Sequence, residues 1–375
     1  MRQILFVLSV LSAALTGLAV HTGPGRAQEP PPASAPPASA PSTTAPLADR
    51  LAPVLEAAEA LRPLQTVVVA VDGGIVAERG YRGHSTTAST NIKSASKSIV
   101  SALVGIAIDK GILEGADQPI APILEADLPD DPDPRIHDIT IGNLLSMQAG
   151  LERTSGANYG GWIASPNWVR DALARPFVDD PGGGMLYSTG STHLLSAILT
   201  KASGRPTLEL ARDWLGPLEG FHIGSWERDP QGIYLGGNQM AMTPRSLVAF
   251  GELYRRGGVT PATETSGGER LVSEDWIAQS WTPRTASVFS GDDYGYAWFM
   301  RDIAGHPVRF AWGYGGQMLY VVPSLDLTVA MTSSQEESSA RSGHRDDLHA
   351  LLAQIIGVVE GENGAGEEDE DGGAG

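Results

Sequence analysis

Cysteine is absent from this chain and lysine is scarce, with four in 375 residues, at positions 93, 97, 110 and 201. Without cysteine there is no disulfide and no lipid attached through a thiol, so stability has to come from core packing. Positive charge is short as well: Lys and Arg number 26 against 44 Asp and Glu, for a formal net charge of −18. Seven of the acidic residues crowd Glu360–Gly375, and even without them the chain is acidic, which argues against nucleic acid or an anionic membrane surface as a partner. Several chemical signatures are also missing. No Gly-x-Ser-x-Gly elbow occurs, against an α/β-hydrolase, and no Gly-Lys-Ser/Thr follows a glycine-rich stretch, against a phosphate loop. The eight histidines are scattered; His344 and His349 lack metal-ligand spacing and read as surface side chains, so neither metal nor cofactor is expected.

Only one long apolar run is present, Ile4–Val20, after Arg2 and before Pro24 and the small-x-small stretch Gly25-Arg26-Ala27. This reads as a secretory signal peptide over residues 1–27, with an uncleaved anchor as the alternative reading. The expectation is a periplasmic or secreted protein with no stable membrane insertion after cleavage. Residues 28–47 are Pro, Ala, Ser and Thr with little to bury and read as a disordered linker; Glu360–Gly375, glycine and acid, reads as a disordered tail. The domain between them, 48–359, is long enough to bury a large core.

That domain opens with apolar residues at helical spacing over Leu47–Leu61, then a β-branched run, Thr66–Val71, turned by Asp72-Gly73-Gly74 into a returning strand, Ile75–Gly80. Helix signals dominate 94–289: Ser96–Gly111, Thr140–Met147, Ser191–Ser203, Thr243–Arg256 and Ser273–Ser280, with Asp127–Pro134 a surface loop and Glu152–Pro166 a long loop without periodicity. Strand patterns return over Tyr294–Arg301, Val308–Trp312, Gln317–Val322 and Leu327–Ser333, and His344–Val358 closes as an amphipathic helix. Strands at both ends with helices between imply an α+β fold. An antiparallel sheet is assembled from the two ends and flanked by helices, with a mainly helical insert over 94–289.

Chemistry concentrates where a polar run becomes an apolar helix, at Asn91-Ile92-Lys93-Ser94-Ala95-Ser96-Lys97-Ser98. Of the four lysines only Lys97 has a serine three positions earlier, which puts hydroxyl and amine on one face of a helical turn. A buried, neutral lysine there can take the proton of Ser94 and make it a nucleophile. Read blandly, Ser94 is a helix cap and Lys97 a solvated charge. Two further stretches invite the same double reading. In Gly182-Gly183-Gly184-Met185-Leu186-Tyr187-Ser188-Thr189-Gly190, Tyr187 either points into a cleft, where a Lys ammonium would favour its phenolate, or simply packs. In Ala311-Trp312-Gly313-Tyr314-Gly315-Gly316-Gln317 the glycines either admit a ligand or mark a bulge.

In their order and spacing the three stretches resemble the serine β-lactamase and penicillin-binding-protein superfamily, and more narrowly its class C-type branch of esterases and 6-aminohexanoate-oligomer hydrolases. The resemblance spans about Leu51 to Val358. It implies a β-lactamase/transpeptidase-like fold and a serine hydrolase in which Ser94 is acylated, Lys97 is its base and Tyr187 shuttles the proton. The backbone N–H groups of Ser94 and Gln317 would form the oxyanion hole. Thr189, Tyr314, Gly315 and Gly316 would contact substrate. Tyr159 and Trp162, aromatics in the long loop, either pack locally or form a substrate-binding pocket wall or lid. Two departures narrow the substrate. Thr189 stands where the family usually has Asn, and Tyr314-Gly315-Gly316 replaces Lys-Thr-Gly, removing the cation that binds a penicillin's carboxylate. The resulting expectation is an exported hydrolase of a small ester, amide or peptide. The alternatives are a D-Ala-D-Ala carboxypeptidase or β-lactamase-type activity, or a binding or sensor domain without turnover.

Overall fold

The computed structural model describes residues 45–262 and 267–370. The signal-peptide expectation and nearly all of the linker fall outside them. In chain order the elements are α1 (Leu47–Ala57), β1 (Leu64–Val71), β2 (Gly74–Gly80), β3 (Thr90–Asn91), α2 (Ser96–Asp109), α3 (Ile141–Leu145), α4 (Tyr159–Ile163), α5 (Trp168–Leu173), α6 (Thr189–Ser203) and α7 (Thr207–Trp214). There follow β4 (Ser225–Trp226), β5 (Met240–Met242), α8 (Pro244–Arg255), α9 (Glu274–Ser280), β6 (Thr285–Ala286), β7 (Asp293–Tyr294), β8 (Phe299–Ile303), β9 (His306–Gly313), β10 (Gln317–Val322), β11 (Leu327–Ser333), α10 (Ser339–Ser342) and α11 (His344–Glu370).

Eight strands form one antiparallel sheet in the order β2-β1-β11-β10-β9-β8-β7-β6, so β1 from the start of the domain lies against β11 from its end. Side chains alternate across a strand, and both faces of the central strands β1, β11 and β10 are covered, which is why these read as mainly apolar runs. Val67, Val69, Met318, Tyr320, Val329 and Met331 face α1 and α11, where Leu51, Leu55, Leu348, Leu352, Ile355 and Ile356 are buried. Val68, Ala70, Leu319, Val321 and Ala330 face the helical region and share a core with α2, α6 and α8. A small second sheet, β3-β5-β4, sits within that region. The expected α+β architecture is the one observed.

Several local expectations need correction. The run over Tyr294–Arg301 is a hairpin: Tyr294 pairs with Phe299, and Ala297 takes a positive φ in the turn between them. The helix after Tyr187 begins at Thr189, earlier than the sequence suggests. The long loop contains α4, so Tyr159 and Trp162 are helical. His344 and His349 are buried, not surface side chains, because the inner face of α11 packs on the sheet: His344 Nε2 lies 2.9 Å from Ser333 Oγ and His349 Nδ1 lies 3.0 Å from Tyr320 Oη. The backbone of α11 runs on to Glu370, into the segment expected to lack structure; a helix already nucleated by a packed stretch extends cheaply.

Leu352 is fully buried between α11 and the outer sheet face. Leu352→Ala should cost about 2–5 kcal/mol in urea unfolding. Because it lies on the face opposite Ser94, the folded fraction should keep parental activity per molecule.

Candidate active site

Ser94 lies in a 3-10 turn, Lys93–Ala95, that leads directly into α2. Three residues per turn eclipse positions i and i+3, so Ser94 and Lys97 are brought into line. Ser94 does not cap the helix: the N-cap of α2 is Ala95, which makes no side-chain cap. The turn is held from both sides. Lys93 has φ +51°, its N–H donates to Asn91 Oδ1 at 2.9 Å, and its Nζ donates to Gln239 Oε1 at 3.3 Å. Further along α2, Ser98 and Ser101 donate to the carbonyls of Ala297 and Tyr296 at 2.7 and 2.9 Å. Gly313 at the end of β9 lets the sheet close on this turn, since a Cβ there would stand 2.3 Å from the Ile92 carbonyl oxygen.

Lys97 is 1 % exposed. Its Nζ lies 3.1 Å from Ser94 Oγ, 3.4 Å from Thr189 Oγ1 and 2.7 Å from the Gly237 carbonyl oxygen. No carboxylate pairs with it among the described residues, and burial alone pulls its pKa from 10.5 down to about 7. A neutral amine fits these three neighbours: two N–H donors for Thr189 and Gly237, and a lone pair for the Ser94 hydroxyl. Gly237 itself has φ +77°, and a Cβ there would sit 2.6 Å from Lys97 Cγ, so only glycine admits the lysine stem.

Tyr187 brings its ring beside this group, with Lys97 Nζ 5.2 Å from the ring centroid. Phe299 stacks on it at 6.4 Å, and Tyr294 and Phe289 meet it edge-on at 6.3 and 5.9 Å. Burial raises its pKa to about 12, and a hydrogen bond with Ser94 opposes that shift. This corrects the expectation of a phenolate beside an ammonium. Desolvation pushes the two pKa values apart, so that Tyr187 stays a neutral phenol while Lys97 gives up its proton near pH 7.

Thr189 is buried and faces Lys97 and Ser155: Ser155 Oγ lies 3.0 Å from Thr189 Oγ1 and accepts from the Thr189 N–H at 2.8 Å. Gln317 is also buried. Its amide donates to the Ser333 carbonyl at 2.6 Å and its Oε1 accepts from the Ser333 N–H at 3.3 Å, so its side chain is spent on bracing the start of β10. Gly315 and Gly316, at φ +87° and +109°, make the turn between β9 and β10. Tyr314, 43 % exposed, borders a cleft of about 240 Å³ with Glu336, Glu337, Ser338 and Arg341. Tyr159 is half-buried and its Oη accepts from Asn238 Nδ2 at 2.9 Å, next to Gly237. Trp162 is not a pocket wall. It is 0 % exposed, donates Nε1–H to the Trp168 carbonyl at 2.9 Å and packs with Trp168 and Leu235. Ser155 and Gly237 are not legible in the sequence, because both arrive from loops without periodicity.

The fold is that of a serine hydrolase. The family model for beta-lactamase matches residues 56–354, so the chain belongs to the beta-lactamase family. No curated protein sequence matches it significantly. Among solved structures, a Bacillus anthracis protein provisionally assigned as a 6-aminohexanoate-dimer hydrolase superposes with TM-score 0.64 at 17% identity, covering 80% of this chain and 81% of that one. A hydrolase with promiscuous acyltransferase activity, EstCE1, gives 0.62 at 17%, covering 84% and 98%. A D-stereospecific amidohydrolase from a Streptomyces species gives 0.59 at 16%, covering 75% and 93%.

The buried lysine also leaves a mark on stability. Folded Lys97 binds its proton only below about pH 7, and an unfolded one below about 10.5. Between these values the unfolded chain holds more protons, so this residue's destabilising effect is full below pH 7 and fades as pH rises. Lys97→Met should therefore be more stable than the parent in urea at pH 7, with the difference shrinking by pH 10.

Proposed function

We propose that this protein is an exported serine hydrolase that cleaves small esters or amides through an acyl-enzyme on Ser94. The observation that carries the reading is Lys97 Nζ at 3.1 Å from Ser94 Oγ, buried, with no counter-charge among the described residues and its pKa lowered to about 7. As Ser94 Oγ attacks the substrate carbonyl, its proton passes to the Lys97 amine. The oxyanion is held by the backbone N–H groups of Ser94 and Gln317. The leaving group takes a proton from the Tyr187 phenol, and the Lys97 ammonium returns one to Tyr187. In the second half the attacking water gives its proton to the Tyr187 oxygen as the phenol proton moves to the Lys97 amine, and the Lys97 ammonium then protonates Ser94 Oγ as it leaves the acyl group. Tyr314 in place of a third-motif lysine favours substrates without the carboxylate of a penicillin. That solved structures of similar fold include a hydrolase with acyltransferase activity and an amidohydrolase supports ester and amide chemistry.

Ser94→Ala should lower hydrolysis of p-nitrophenyl acetate by at least about a thousandfold with an unchanged unfolding midpoint. The parent's kcat/KM should rise with pH and reach half its plateau near pH 7, as Lys97 loses its proton. Retained turnover in Ser94→Ala would refute the assignment.

A further inference from the structure

A second buried polar pair lies behind the amine and takes no part in the steps above. His193 on α6 and Asp229 in the loop after β4 are both buried, with Nε2 and Oδ2 3.1 Å apart. Asp229 Oδ1 accepts from the N–H groups of Gln231 and Ile233, both at 2.8 Å, so this carboxylate is locked in place by its own loop. The other histidine nitrogen, Nδ1, accepts from the Gly236 N–H at 3.3 Å. The next residue is Gly237, whose carbonyl takes the 2.7 Å hydrogen bond from Lys97 Nζ. Trp162 and Trp168 meet the imidazole edge-on at 5.6 and 5.8 Å and close it from solvent.

We propose that His193 and Asp229 are positioning residues for Lys97, acting through the Gly236–Gly237 peptide. The physical reason is tautomeric. A carboxylate accepts only, so it fixes the proton on Nε2 and leaves Nδ1 as an acceptor, which is what the Gly236 N–H requires. With the other tautomer, two N–H groups would face each other and push Gly236 away. The Gly237 carbonyl would move with it, releasing one of the two acceptors that aim the Lys97 lone pair at Ser94. The proposal rests on the reading of Ser94 and Lys97 as nucleophile and base.

Asp229→Asn tests it at constant volume. The asparagine oxygen stays with the Gln231 and Ile233 N–H groups, so its NH2 faces His193 and forces the proton onto Nδ1. We expect kcat/KM for p-nitrophenyl acetate to fall roughly tenfold or more. The acid limb of its pH profile should move to lower pH, because an ammonium at Lys97 would lose the Gly237 carbonyl as acceptor. His193→Gln, which offers one donor and one acceptor in the same sense, should keep activity within about threefold and the parental limb. His193→Phe, which offers neither, should behave like Asp229→Asn. A lower unfolding midpoint in Asp229→Asn with kcat/KM and acid limb unchanged would show a merely structural pair and overturn the proposal, as would equal activity in His193→Gln and His193→Phe. If Asp229→Asn fails to fold, the two His193 variants decide. Turnover surviving in Ser94→Ala would instead sink the underlying reading and leave this comparison without a base to position.

Discussion

The site depends on keeping one amine dry. Lysine ordinarily holds its proton to well above neutral pH, and only exclusion of water without a compensating carboxylate brings Lys97 to where it can accept one. The surrounding architecture serves that exclusion. The sheet comes close enough to the Ser94 turn only because position 313 has no side chain, and the loop at 237 closes over the lysine stem for the same reason. The aromatic group around Tyr187 seals a further side and holds the phenol neutral by the same desolvation. One cause thus sets both protonation states, and above about pH 7 the pair carries no buried charge at rest.

What was legible in the sequence follows from what is local. The Ser94–Lys97 relation is a matter of one turn, and β10 and β11, buried along their whole length because helices cover both faces, show themselves as mainly apolar runs. What stayed hidden arrives through tertiary contact. Ser155 reaches Thr189 from a loop, Gly237 reaches Lys97 from across the chain, and nothing in their neighbourhoods has a period to read. Trp162 misleads for a related reason: an aromatic among glycines reads as a loop side chain, and only Trp168 and Leu235 in space reveal a small core. His344 and His349 likewise look like surface residues until α11 is laid on Ser333 and Tyr320.

The two departures from the family motifs differ in consequence. Thr189 still meets the lysine, at 3.4 Å from Lys97 Nζ, and Ser155 holds it there. At the third motif the lysine is replaced outright by Tyr314, which stands exposed at a cleft shared with Glu336, Glu337 and Arg341. Change at one position preserves the proton chemistry, while change at the other reshapes what can dock. The proposed preference for small esters or amides comes from this asymmetry.

Pairing of Leu64 with Ser333 joins residues from opposite ends of the domain. A ribosome emitting this polypeptide releases β1 long before its neighbour β11 exists, so the central ladder cannot zip until synthesis is nearly finished. Until then the early strand carries an unmatched apolar edge that invites mispairing. A late-closing topology of this kind leaves the central ladder of the sheet to be completed by the last strands of the domain to be made.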